Sequence, residues 1–83
     1  MNTDVLKAKL TWQCRRGMLE LDLMLHQFLT AAFSTLNTQQ LTAFESLLTH
    51  PDPEIYHWLM EQGEPSSPEL SEIVTLIRLH HHF

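Results

Sequence analysis

Cysteine, glycine and positive charge are all scarce in this 83-residue chain. One cysteine, Cys14, excludes an intramolecular disulfide framework, and no Cys-x-x-Cys pair exists to hold zinc or an iron–sulfur cluster. A reducing compartment is the simplest expectation. Five Lys and Arg stand against ten Asp and Glu, a formal charge of −5. No polybasic surface is therefore at hand to neutralise phosphates, and nucleic acid is not an expected partner. Long apolar runs are missing too: none approaches the ~20 residues of a membrane span. The opening Met1-Asn2-Thr3-Asp4 lacks the basic segment and apolar block of a secretory signal. Bacterial-type cytoplasm is the expected location.

What is present is a globular composition, 43% hydrophobic and 18% charged, without repeats, arranged as five helical segments. The first is expected over about residues 4–13, carrying Val5, Leu6 and Leu10, with Thr3 or Asp4 as its cap. The second, about residues 17–32, has Met18, Leu21, Leu25, Phe28 and Ala32 at spacings of three and four, the period of a buried helical face. Leu19, Leu23, Met24 and Leu29 widen that stripe, and Leu19, Leu23 and Met24 are expected to remain exposed. Asn37, Gln40, Leu36 and Leu41 form a capping box with a hydrophobic staple. They open a third helix that runs to about His50 with Leu41, Phe44, Leu47 and Leu48 inward. Pro51 ends it, because the residue before a proline is pushed out of helical geometry.

Asp52-Pro53-Glu54 reads as an N-cap, a proline at N1 and an acid beside the positive helix end, opening a fourth helix to about Gln62. Ile55, Trp58 and Leu59 are its inward residues, and Gly63 suits a left-handed C′ position. Ser67-Pro68-Glu69 repeats the same start for a last helix bearing Leu70, Ile73, Val74 and Ile77 and ending near His80. The connections are too short for a sheet, so the expected fold is all-α, a compact five-helix bundle forming one domain over residues 1–83.

Chemistry concentrates in Cys14-Arg15-Arg16-Gly17-Met18-Leu19-Glu20-Leu21-Asp22. It holds two of the five basic residues and one of the two glycines. Read as helix, Gly17 costs roughly 0.5–1 kcal/mol against alanine. Arg16 and Glu20 would then form an i,i+4 pair in the poorer orientation, worth only ~0.2–0.5 kcal/mol. Helix stability does not account for this combination. A guanidinium, a bare stretch of backbone and a carboxylate one turn on can dock another protein; the same residues can also be a solvated helix start. The residues alone leave both readings open.

Cys14 beside two arginines is the one candidate nucleophile, but no histidine and acid can be assigned to it, and a small buried cysteine is the expected outcome. No catalytic residue is expected. His80, His81 and His82 are consecutive, so on a helix they diverge by about 100° each. His26, His50 and His57 lack H-x-x-x-H spacing, and no metal site is expected. Trp58 reads as core, while Trp12 is open between core and interface.

The stretch Trp12-Gln13-Cys14-Arg15-Arg16-Gly17-Met18-Leu19-Glu20-Leu21-Asp22 resembles the signature of the small bacterial SdhE/YgfY family, in which Arg16, Gly17 and Glu20 match an Arg-Gly-x-x-Glu motif. Residues 51–59, with an acidic-proline turn and Trp58-Leu59, and residues 68–78 resemble that family's later helices, so the likeness spans nearly the whole chain. The tail His80-His81-His82-Phe83 departs from the longer polar ending of many relatives.

The resemblance implies a non-enzymatic assembly factor. It would bind the flavoprotein subunit of succinate dehydrogenase, and often of fumarate reductase, and promote covalent attachment of FAD to a histidine of that partner. Arg16 and Glu20 would pair with partner groups and Gly17 would allow close approach, with Arg15, Met18 and Asp22 flanking them. FAD would belong to the partner, with none bound stably by this chain, and the free protein would be a monomer. The competing readings are an antitoxin-like regulatory module that binds another cytoplasmic protein, and a helix-turn-helix DNA reader, which the acidic balance disfavours.

Overall fold

The computed structural model describes residues 3–80. Five helices follow one another: α1 (Thr3–Gln13), α2 (Leu19–Ala32), α3 (Thr38–Leu47), α4 (Asp52–Leu59) and α5 (Pro68–His80), with a single 3₁₀ turn, Phe33–Thr35, between α2 and α3. Among the described residues there is no strand. The fold is all-α.

One core joins the helices, and α5 packs against α2, α3 and α4. Leu21, Leu25 and Phe28 of α2 are buried as their spacing requires, and so are Phe44 and Leu47 of α3, Ile55 and Leu59 of α4, and Ile73, Val74 and Ile77 of α5. The rings of Phe28 and Phe44 meet at 5.7 Å between centroids, within the range of favourable tilted aromatic pairs. Leu10 and Cys14 bring the end of α1 into the same core.

Met24 was expected on the surface with Leu19 and Leu23 but is buried, whereas Leu19 and Leu23 are exposed. A core touching α2 on two sides takes Met24 together with Leu25 and Leu29. Val5 is exposed, so only Leu6 and Leu10 of the first apolar set face inward.

The capping box at the start of α3 forms as read: Asn37 Oδ1 accepts from the Gln40 N–H at 2.7 Å, and the Asn37 N–H donates to Gln40 Oε1 at 3.0 Å. Leu36 and Leu41 both pack on the core. Other helix ends differ from expectation. The third helix stops at Leu47 and continues as a turn to His50. At the next start Pro51, with extended backbone, is the N-cap; Asp52 already lies in the helix, and its carboxylate accepts from Arg16 instead of capping. The left-handed residue after α4 is Glu61 (φ 60°), not Gly63.

A Schellman closure sits there, with the Gln62 N–H donating to His57 O and the Glu61 N–H to Trp58 O. Arg78 adds to it, its Nε donating to Trp58 O at 2.9 Å and its Nη2 reaching the same oxygen. These donors satisfy the carbonyls of the last turn two residues before the glycine. Trp58 is half-buried against the core, while Trp12 is exposed. His80 closes α5; His81 and His82 lie outside the described residues.

Candidate functional site

Between α1 and α2 the chain forms a loop, not the expected first helical turn. Gly17 has φ +89°, a left-handed conformation that costs an L-residue roughly 1–2 kcal/mol and glycine little. Its place in the sequence is thereby explained by the turn. A Cβ built there would meet nothing within 4 Å, so the backbone at Gly17 faces open space. Helix α2 starts only after Met18, which is extended (φ −107°, ψ 110°) and makes no side-chain cap. In place of such a cap, Asp22 in the first turn of α2 reaches back over the loop, and its Oδ1 accepts the Arg16 backbone N–H at 2.7 Å.

Arg16 does not pair with Glu20. Its Nε donates to Asp52 Oδ1 at 2.7 Å, its Nη1 to Leu48 O at 2.7 Å and to Gln13 O at 3.3 Å, and its Nη2 to His50 O at 2.8 Å. Only 16% of the side chain is exposed. Helix carboxyl ends leave carbonyls without intrahelical donors, and those at the ends of α1 and α3 converge on this one guanidinium. A cation at two negative helix ends also suits the helix dipoles. The same fork bonds the first turn of α4 through Asp52. Arg16 is a junction between three helices.

Glu20, exposed on α2, has its own tie to α4: the Tyr56 hydroxyl donates to Glu20 Oε2 at 2.7 Å. The carboxylate beside the phenol favours its neutral form and pushes Tyr56 above its ordinary value. Asp52 and Tyr56 are one turn apart on α4, as Arg16 and Glu20 are four apart in the loop and helix start. Each of the two cross-links, Arg16–Asp52 and Glu20–Tyr56, spans 36 residues of chain. One face of α4 thus holds both charged residues of the motif in register.

The expected site residues separate into two sets. Arg15, Gly17 and Glu20 are exposed; Met18 is half-buried against the core. Arg16 and Asp22 are turned into the loop's own hydrogen bonds. The solvated Arg16–Glu20 helix pair is therefore corrected, since Gly17 breaks the helix between the two residues. Asp52 and Tyr56 were not foreseen as parts of this region. The one signal for Asp52 was its acid-before-proline position, which a cap explained equally well.

Exposed Leu19 and Leu23 extend an apolar edge along α2 from Glu20. Cys14 lies at the base of the loop, fully buried, and burial pushes its thiol up to about 12 despite the nearby Arg16. Such a thiol stays protonated and is a poor nucleophile. Nearby, His50 Nδ1 lies 2.7 Å from Glu54 Oε1 and its ring meets Trp58 edge-on. Among the described residues no three His, Cys, Asp or Glu side chains gather in a way that could hold a metal ion, and no helix is long and apolar enough to cross a membrane.

Fold and loop define a class: a small all-α domain whose distinctive surface is a glycine loop locked in place by an arginine across three helices. The chain belongs to the family described as Flavinator of succinate dehydrogenase, whose model matches residues 8–81 and so takes in the whole loop and all of its partners on α3 and α4. Among its relatives, the FAD assembly factor SdhE of Legionella pneumophila (strain Paris) is 54% identical over 72 residues, 87% of this chain and 90% of its own. The FAD assembly factor SdhE of Pectobacterium atrosepticum is 42% identical over 72 residues, 87% of this chain and 82% of its own. That of Coxiella burnetii is 40% identical over 78 residues, 94% of this chain and 95% of its own.

Proposed function

We propose that this chain is an assembly factor for the flavoprotein subunit of succinate dehydrogenase, and of fumarate reductase, and that it promotes covalent attachment of FAD to that subunit. The observation that carries the reading is membership in the flavinator family, together with the locked loop at Arg16, Gly17 and Glu20, the residues that resemble an Arg-Gly-x-x-Glu motif.

In this reading the partner meets Gly17, Met18 and Glu20, with Arg15 and Leu19 at the rim. The missing Cβ at Gly17 lets another backbone approach closely, and Glu20 offers a carboxylate whose second oxygen has no bond to Tyr56. Arg16 and Asp22 act through the loop and do not touch the partner. The bond-forming chemistry belongs to the flavoprotein and its FAD. This chain supplies position: by holding one conformation of the partner it raises the effective concentration of the residue to be modified at the flavin. It binds no FAD stably, works as a monomer in the cytoplasm, and contributes no catalytic side chain.

The test is in-gel flavin fluorescence of the flavoprotein subunit produced with and without this chain. Covalent flavin is expected to fall sharply when the chain is absent or carries Glu20→Ala. Equal fluorescence with and without the chain would defeat the assignment; equal fluorescence with Glu20→Ala would remove Glu20 from the contact surface.

A further inference from the structure

The chain is acidic overall, yet its positive charge is unevenly spent. Lys9 pairs with Glu45 at 2.9 Å, Arg16 is inside the loop junction, and Arg78 is held by Trp58 O and Glu64. Lys7 and Arg15 remain, and neither makes an ion pair among the described residues. Both lie by aromatic rings. Lys7 Nζ is 5.7 Å from the Phe33 ring centroid and the Arg15 guanidinium is 5.9 Å from that of Trp12, inside the cation–π range.

Trp12 itself is 71% exposed. Indole is the side chain whose burial yields the most at an interface, and in a small bundle it is normally drawn into the core. Here it stands outside the core at the end of α1, where Asp4, Lys7, Ala8, Thr11, Trp12 and Arg15 line an open groove of about 470 Å³. Lys7 and Thr11, like Ala8 and Trp12, are one helical turn apart, so the groove runs along a single face of α1. At its end the groove joins the glycine loop through Arg15, whose N–H donates to Trp12 O at 3.1 Å.

We infer that this α1 face is a second contact surface for the flavoprotein subunit, taking an acidic segment of that protein with an apolar side chain laid on the Trp12 indole. The inference rests on the proposed function for the identity of the partner. Charge complementarity selects the acid: Lys7 and Arg15, which make no ion pair among the described residues, line the groove beside the exposed Trp12 and outnumber its one carboxylate, Asp4. Continuity through Arg15 selects the partner, because a protein docked on Gly17 and Glu20 passes directly over this groove. The loop then fixes orientation, and the α1 face supplies an anchor and electrostatic steering.

Binding of the full chain to the purified flavoprotein subunit, measured by biolayer interferometry at low and high salt, tests this. Trp12→Ala is expected to weaken binding about tenfold or more, as loss of a tryptophan anchor does. Arg15→Glu and Lys7→Glu are expected to slow association, with a deficit that shrinks as salt rises. Far-UV circular dichroism checks that the variants fold, and the exposure of all three side chains makes that the expected outcome.

If the unaltered chain binds while all three variants stay within about twofold of it, the surface is wrong although the function stands. If the unaltered chain does not bind the flavoprotein, the function falls and this surface with it. Vesicles of anionic phospholipid provide the other arm. Binding to them that Trp12→Ala abolishes, with flavoprotein binding unchanged, would assign the face to a lipid surface and overturn the inference.

Discussion

Replacing Arg16 with alanine measures what the loop junction contributes. Three short bonds are lost, to Asp52 Oδ1, Leu48 O and His50 O, together with the longer one to Gln13 O. A fully exposed ion pair is worth about 0–1 kcal/mol, and breaking a fully buried one costs about 3–5 kcal/mol. Side-chain exposures of 16% for Arg16 and 27% for Asp52 lie between these limits. Water entering the gap re-solvates Asp52 and part of each carbonyl, so about 1 kcal/mol per short bond is appropriate. The sum is about 3 kcal/mol, a large share of the roughly 4–12 kcal/mol that a domain of this size has in total.

In urea, with a slope of about 1 kcal/mol per molar, the midpoint is expected to fall by about 3 M. In heat, the loss corresponds to about 12–24 °C in Tm. Far-UV circular dichroism at 222 nm reads both. Arg16→Lys keeps the charge but a single ammonium cannot span the acceptors that the planar fork reaches, so it should recover less than half of the loss. A destabilisation below about 1 kcal/mol, or full rescue by lysine, would refute the junction and return Arg16 to the status of a solvated surface charge.

Gly17→Ala should destabilise by about 1–2 kcal/mol from backbone strain alone, since its Cβ has open space; Gly17→Asn should cost less, and denaturation midpoints compare the two. Tyr56 is the one tyrosine in the chain, so absorbance at 295 nm titrates it cleanly. It should ionise above the ordinary value of 10.0, and Glu20→Gln should bring it back down. Cys14 should resist iodoacetamide in the native protein at pH 8 and react once the chain is unfolded in urea. Because folding holds that thiol near 12 against an ordinary 9.0, the unfolded chain loses the proton first as pH rises. Stability should therefore fall with pH from about 9 upward, and Cys14→Ala should flatten that fall.

The parts of the fold that were legible are those encoded within a turn or two of chain. Asn37 and Gln40 are three residues apart, so the two bonds between them are local to one helix start. Leu21, Leu25 and Phe28 declare a buried face by spacing alone. What could not be read is where a side chain goes when its partner is far along the chain. Arg16 finds Leu48, His50 and Asp52 between 32 and 36 residues away, and nothing local distinguishes such an arginine from a solvated one.

Gly17 lay between these cases. Its poor fit to a helix was visible, but the apolar period of α2 extends backward through Met18 and conceals the break. The same competition displaced the end of α4, where donors from Arg78 and the Schellman closure fixed Glu61, and not Gly63, as the left-handed residue. Of the candidate site, the sequence showed an unusual stretch at Arg16, Gly17 and Glu20 but not the bonds these residues make. Arg16, expected to pair with partner groups, and Asp22, expected at their flank, instead form a frame within the loop, which leaves Gly17 and Glu20 exposed.

That frame makes the loop an honest reporter of the whole molecule. Its curvature depends on carbonyls from the ends of α1 and α3 and on side chains of α4, so it takes shape only after these distant pieces have met. The Arg-Gly-x-x-Glu letters alone do not set that curvature, because the acceptors of the Arg16 fork lie on other helices. In the proposed function, the bonds that tie α1, α3 and α4 together are therefore the same bonds that shape the contact surface.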